Sequence, residues 1–329
     1  MAHEPQGGIV PEPGSHAFFV VMDVRDHAAV ATVAEVAASL PKRVAQVARG
    51  DNRARLAATV SFGSELWDAL WPRRPMHLHN FRALRIDTRA APATGGDLFL
   101  HVTSQREDLA FELVHGFRNE LGGVVEVVEE VHGFRYRDSR DLTGFIDGTE
   151  NPKGKARAAA ALIGDEDPEF AGGSYVFTQR YVHDLARWNV LPVSEQEKIV
   201  GRRKKDSKEL SEAQKPPSAH IARVVIEENG EELQIVRHSF PYGSTKEAGL
   251  FFLAYLRRAE IAERMLRRMM GATDDGVHDR LMDYTRAVSG AHFFAPPLAM
   301  LKALGPAAAP KEVAAPVKAK TPKATKRPR

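Results

Sequence analysis

The order strand, helix, strand, strand, helix, strand over the first 131 residues narrows most sharply what this chain can fold into. Residues 17–24, Ala-Phe-Phe-Val-Val-Met-Asp-Val, are rich in aromatic and β-branched side chains and read as a buried strand. An Ala/Val-rich helical stretch over 27–49 follows, interrupted or kinked at Pro41, since proline removes a backbone donor. Residues 55–62, 97–104 and 123–131 supply three further strands, with an amphipathic helix over 106–121. A short helix over 64–70, with Ser64 as its cap, is an addition to the pattern. A long Pro-rich loop over 71–96 carries His77 and His79. This succession is the ferredoxin-like order.

The pattern loosely recurs. A strand over 173–181 precedes helical stretches at 182–189 and 193–201. Strands over 219–228 and 232–239 are expected to form a hairpin around Asn229-Gly230, a dipeptide that accepts the positive φ of a tight turn. A long helix over 245–270, another over 276–286 and a strand over 291–295 complete the reading. The fold class is therefore α+β: two ferredoxin-like halves, 1–143 and 144–305, with antiparallel sheets and surrounding helices. Residues 306–329 combine Ala, Pro and Lys without aromatics, cannot offset the entropy of ordering, and are expected to be a disordered tail.

Composition excludes several classes. With no cysteine, a disulfide framework and any thiolate-held zinc, iron–sulfur or haem centre are ruled out. The net charge of +3 hides an asymmetry. Residues 311–329 hold five Lys and two Arg against one Glu, a surplus of +6, so the body carries about −3 and is not a nucleic-acid-binding surface. No basic n-region precedes the short apolar run at 17–22, so a cytoplasmic protein without a membrane span is expected.

Chemistry concentrates in Gly144-Phe-Ile-Asp147-Gly148-Thr149-Glu150-Asn151-Pro152. Glycines let the backbone turn tightly and approach a ligand, so an acid between them can present its carboxylate into a cavity. On spacing alone, a turn in which Asp147 bonds its own backbone serves equally well. Two later stretches alter the balance: Pro216-Pro-Ser-Ala-His220-Ile-Ala-Arg223, with a histidine at the mouth of an apolar strand, and Arg237-His-Ser239-Phe-Pro-Tyr-Gly243. With Gln6-Gly-Gly-Ile-Val-Pro11, Gly172-Gly-Ser-Tyr-Val-Phe177 and Ser289-Gly-Ala-His-Phe-Phe-Ala-Pro296, they make the chain resemble the bacterial B-class dye-decolourising peroxidases over residues 6 to 304.

The resemblance implies haem b in the C-terminal half, with His220 as iron ligand and Asp147 and Arg237 on the opposite, distal face. Gly148, Thr149, Glu150 and Asn151 would belong to the haem-binding loop. Asp279 is favoured as the carboxylate that orients His220, with Asp283 as the alternative on the same helix face. Arg202, in Ile199-Val-Gly-Arg202-Arg-Lys-Lys205, would neutralise a haem propionate or else sit in a solvated basic loop. Ser239 stands where many relatives have Asn, which leaves open whether it does more than hold a water. Peroxide cleavage needs a base to move a proton and a cation to stabilise developing charge. A guanidinium beside Asp147 would also keep that carboxylate ionised in mild acid.

The activity so implied is reduction of H2O2 and one-electron oxidation of dyes, phenolics or similar donors through an oxoferryl porphyrin radical. Haem carriage or iron recovery is the alternative. A homo-oligomer is expected. Tyr136, Trp188 and Tyr242 would relay electrons or simply pack. His77 and His79 are set aside as metal ligands, because no acid or thiol lies near them in the sequence. His238 should point away from Arg237 by strand alternation. The tail lacks the Gly/Leu-rich ending of encapsulated family members but could contact polyanions. Its +6 charge gains from counterion release, an effect that fades steeply with salt. Truncation after Ala303 is expected to leave the thermal midpoint unchanged and to weaken retention on heparin at low salt; equal retention of both forms would rule out such contact.

Overall fold

The computed structural model describes residues 3–305. The first half contains β1 (His16–Val24), α1 (Val30–Ala48), β2 (Ala57–Phe62) and α2 (Ser64–Leu70). The small hairpin β3 (Leu84–Ile86) and β4 (Arg89–Ala91) leads into β5 (Leu98–Ser104), α3 (Glu107–Leu121) and β6 (Val125–Phe134). Proline 41 does not break α1. The buried face of Val33, Val36, Ala37 and Leu40 holds the helix through the lost hydrogen bond. Ser64 is not a cap either: Gly63 takes that position, and Ser64 is hydrogen-bonded to Asn80.

The second half adds α4 (Gly154–Ala161), β7 (Ser174–His183), α5 (Leu185–Asn189) and α6 (Val193–Val200). Next come α7 (His220–Val224), β8 (Glu227–Glu228), β9 (Glu231–Glu232), β10 (Val236–Arg237) and β11 (Phe240–Gly243). The chain then runs through β12 (Ala248–Leu256), α8 (Glu260–Met270), β13 (Thr285–Ala287), β14 (Ala291–Ala295) and α9 (Leu298–Ala303). The turn at Asn229-Gly230 forms as expected, with φ of 54° and 83°, but its strands are two residues each. His220 opens a short helix rather than a strand. The helix expected over 245–270 is half strand, because Ala248–Leu256 is gripped by β7 on one side and by β10 and β11 on the other. The helix expected over 276–286 is a 3-10 turn followed by β13.

All neighbouring strands pair antiparallel. The main sheet runs β10-β12-β7-β14-β2-β5-β1-β6. Each half thus repeats the ferredoxin-like arrangement, and their strands meet in the sheet at the pair Phe294 and Phe62. The fold is α+β, and the expected division at 143/144 falls between β6 and α4. Among the described residues no helix is long and apolar enough to cross a membrane. The tail expected beyond 305 lies outside the described residues.

Strand pleating sorts the apolar residues onto two cores. Phe18, Val20 and Met22 pack with Val33, Leu40, Leu113 and Phe117 of the helices. Their neighbours Phe19 and Val21 instead meet Phe251, Leu253, Tyr255 and Phe293 of the other half. Phe19 and Phe251 stack at 4.2 Å. Gly133 allows β6 to approach β11, since a Cβ there would lie 2.5 Å from that of Phe240. Phe251→Ala is expected to cost about 3–5 kcal/mol, because both halves lose the same buried ring; urea unfolding checks it, and a loss below about 1 kcal/mol would mean that this core does not join the halves.

Candidate active site

A cavity of about 730 Å³ opens on the outer face of the second half-sheet. Its floor follows from the pleat: Phe177, Gln179, Tyr181 and His183 of β7 and Leu250 and Phe252 of β12 all project to one side. Met265, Leu266 and Met269 of α8 form one wall, and Ile146 to Glu150 with Arg202 form another. A chamber of this size, with apolar side chains from the sheet and α8 beside convergent His220, Asp147 and Arg237, suits a cofactor.

His220 enters from the first residue of α7. Its Nδ1 lies 2.6 Å from Oδ2 of Asp279, which is fully buried. Asp279 is fixed in turn: its Oδ1 accepts from Leu281 N–H, and its own N–H donates to the Met269 carbonyl at the end of α8. Asp283 faces His278 instead, at 3.0 Å. Nδ1 of His220 is thus engaged, while Nε2 has no hydrogen-bond partner among the described residues. A carboxylate in this position orients an imidazole and raises its basicity as a metal ligand.

Asp147 and Arg237 line the same cavity. Asp147 satisfies both readings of its turn, since Oδ1 accepts the Gly148 N–H at 2.7 Å while the residue faces the chamber. Gly148 sits at φ 76°, a conformation that favours glycine. Asn151 joins the two segments: its side chain accepts from Arg237 N–H at 2.9 Å and donates to the Arg237 carbonyl at 2.8 Å. No hydrogen bond or ion pair holds the Arg237 guanidinium among the described residues, and none links it to Asp147. The expected acidifying contact between the two is therefore not made. Ser239 does not line the cavity; its Oγ accepts from Leu253 N–H at 3.3 Å. His238 does point away, into the buried cluster with Arg157 and His101.

At the rim, Thr149, Glu150 and Arg202 are brought together. Arg202 pairs with Glu150 at 2.6 Å and approaches Glu209 at 3.8 Å, so it is already neutralised by acids. The loop is held from behind by Arg140, which donates to the carbonyls of Gly144 and Lys204. Trp188 is buried and donates to the Thr143 carbonyl, and Tyr242 donates to that of Tyr181; both are packed as structural residues. The expectation that no acid lies near His77 and His79 is overturned: Glu260 is 3.3 Å from His77 and Glu263 is 2.7 Å from His79. Both acids come from α8, about 180 residues away, where adjacency in sequence gives no hint.

A second pair in the cavity also escaped the sequence reading. Nε2 of His183 lies 3.1 Å from Oδ1 of Asp141, and its Nδ1 is 2.8 Å from Thr285 Oγ1. Burial works to raise the Asp141 carboxyl, but the His183 ring and Thr143 outweigh it and hold the group below the ordinary carboxylate range.

Two family models divide the chain between them: "Dyp-type peroxidase, N-terminal" matches residues 6–135 and "Dyp-type peroxidase, C-terminal" residues 138–300. The chain belongs to the Dyp-type peroxidase family. The peroxidase is 43% identical over 304 residues to the dye-decolorizing peroxidase of Mycolicibacterium paratuberculosis, covering 91% of this chain and 86% of that one. It is similar to the encapsulated DyP-type peroxidase of Mycobacterium smegmatis, with a TM-score of 0.89, 40% identity, and coverage of 93% and 99%. A variant of Rhodococcus jostii RHA1 DypB in complex with heme gives a TM-score of 0.88 at 38% identity, covering 93% of this chain and 100% of that one. The cavity of this peroxidase fits such a group: an imidazole with one engaged and one free nitrogen, apolar side chains from the sheet and α8, and Arg202 and Arg237 among its lining residues.

The Asp141 carboxyl sets an acid-dependent contribution to stability. Because its folded value is depressed, the folded state binds fewer protons, and the contribution is full above the unfolded value and is lost as pH falls through the folded one. Asp141→Asn is expected to cost about 1–3 kcal/mol at pH 7. The deficit should shrink below about pH 4. Urea midpoints at pH 7 and pH 3 read this directly; a deficit equal at both would assign the loss to packing.

Proposed function

We propose that His220 is the iron ligand of this haem peroxidase, and that Asp147 and Arg237 handle the proton and the charge of peroxide on the opposite side of the haem b. The observation that carries the reading is the 2.6 Å bond between His220 Nδ1 and the buried Asp279 carboxylate. That bond leaves Nε2 for the metal and makes the ring a stronger donor. Haem, when bound, supplies the redox chemistry, yielding two electrons to H2O2 and recovering them singly from donors such as dyes or phenolics.

The chain's own groups do the rest. Asp147, steadied by the Gly148 N–H, takes the proton of the inner peroxide oxygen and returns it to the outer one. The Arg237 guanidinium, free of other partners, is directed at the charge that builds on the departing oxygen. Asn151 sets the backbone of Arg237 relative to the Asp147 loop. The apolar floor and α8 exclude bulk water, which strengthens both effects. Gly148, Thr149 and Glu150 line the cavity with Arg202, which now pairs with Glu150 and would hold a propionate of the haem. Haem carriage alone would not use an unpaired cation and a carboxylate in one chamber. A homo-oligomer and tail contact with polyanions belong to the same proposal. Shell encapsulation, as in the Mycobacterium smegmatis relative, is a further partner class that light scattering of purified assemblies would read.

The test combines haem content with peroxide kinetics. His220→Ala is expected to fold and to lose most haem; full occupancy with an unchanged Soret band would sink the ligand assignment. Arg237→Leu is expected to slow the first reaction with H2O2 by about 100-fold or more. Asp147→Ala should slow it by as much or less, since an ordered water can replace a missing base. Unaltered stopped-flow rates in both variants would place the peroxide chemistry on other residues.

A further inference from the structure

Behind the α8 wall, three elements bring His79, Glu263 and His292 together. His79 comes from the loop before β3, Glu263 from α8 and His292 from β14. Nε2 of His79 lies 2.7 Å and Nε2 of His292 3.1 Å from the same oxygen, Oε1 of Glu263. The donor atoms all lie within 4.8 Å of one another. The His292 side chain is 1% exposed, whereas those of His79 and Glu263 are 41% and 32% exposed, so the cluster has a buried floor and an open mouth.

Hydrogen-bond chemistry makes this arrangement specific. Nδ1 of His79 is 2.8 Å from the His77 carbonyl, which only accepts, so Nδ1 carries the hydrogen. In a neutral ring Nε2 is then a lone pair facing a carboxylate oxygen that is itself an acceptor, and the His292 ring addresses that oxygen too. A positive charge between these atoms reconciles them. A proton on His79 satisfies its contact while neutral His292 donates its own Nε2–H; a metal ion instead uses the lone pairs of all three residues. The His77 carbonyl is also the kind of outer partner that fixes a ligating imidazole in its tautomer.

We propose that His79, Glu263 and His292 bind one divalent transition-metal ion that ties the loop before β3 to the outer side of the cavity wall. Two imidazoles and one carboxylate, with an open fourth position for water, match zinc best among the common ions. Bonds of about 2.0–2.2 Å place tetrahedral ligands roughly 3.4 Å apart. His79 and Glu263 must therefore open slightly, which their exposed side chains permit. The site is distinct from the haem cavity yet coupled to it: His292 packs on Phe177 at 4.9 Å between ring centroids, and Glu263 lies two residues from Met265, both neighbours being cavity residues. A bound ion would stiffen α8 and with it the pocket.

Calorimetric titration of the chelator-washed, haem-loaded full chain with zinc chloride tests this. One ion per chain is expected, with a raised thermal midpoint. His79→Ala and Glu263→Gln should each weaken binding by more than about 100-fold, beyond the range for loss of an outer partner. Their Soret bands should stay unchanged, which separates this outcome from any failure of the haem assignment. Absence of saturable binding by the unaltered chain, or undiminished binding in both variants, would overturn the proposal.

Discussion

The pleat of β7 is the constraint on which the rest of the structure depends. Its odd-numbered residues from Phe177 to His183 floor the cavity, while Val176 on the other side packs into the core shared by the two halves. A one-residue slip would exchange these faces, burying His183 and Gln179 in an apolar core and filling the chamber with the wrong side chains. Register is pinned on both edges. β14 pairs Ala291 with Thr178, and β12 pairs Gly249 with Val182. Gly249 has no substitute there, because a Cβ would lie 1.9 Å from the Tyr181 carbonyl oxygen. Close approach of β12 to β7 is what sets Leu250 and Phe252 beside Tyr181 and Gln179 in one continuous floor.

In that cavity, Asp147 and Arg237 are held through backbone rather than through one another. Asp147 and Arg237 do not touch: Asp147 is tied by the Ser139 carbonyl and the Gly148 N–H, and Arg237 by the two arms of Asn151. Arg140 and Trp188 brace the loop from behind. Side chains so placed keep their geometry without neutralising each other, and electrostatic catalysis requires such preorganisation. On the opposite wall Asp279 does the equivalent for His220, drawing rigidity from the end of α8.

The sequence made legible what local patterns encode. The strands of the first half are apolar, aromatic and β-branched, and they formed within a few residues of expectation. The glycines around Asp147 and the Asn229-Gly230 turn were readable because only certain residues accept those backbone angles. Ala248–Leu256 misled because it is enclosed by strands on both edges and lacks the two-residue alternation of a half-exposed strand. Its alanines and leucines, followed by the Glu/Arg-rich α8, then read as one helix. The 219–228 stretch failed differently: the apolar run held the first residue of a helix, so a strand was inferred where α7 positions His220. No local pattern could have paired Asp141 with His183 or Glu263 with His79 and His292. Those contacts exist only once the sheet has brought distant segments together.

Charge in the cavity is distributed unevenly, and the unevenness points to where chemistry is possible. Arg202 and Lys215 at the rim are matched by Glu150, Glu209 and Glu212, so their fields are largely cancelled before reaching the interior. Among the described residues, Arg237 alone of these lining cations has no acidic partner. A partly buried unpaired charge costs stability, and a lysine in that position would relieve the cost by shedding its proton. A guanidinium stays charged even there. The choice of arginine therefore trades folding energy for a permanent positive field at one point of the chamber. The Asp147 carboxylate lines the same cavity and makes no ion pair with Arg237 among the described residues. The fold prevents the two groups from satisfying each other, which is the arrangement the proposed peroxide chemistry would use.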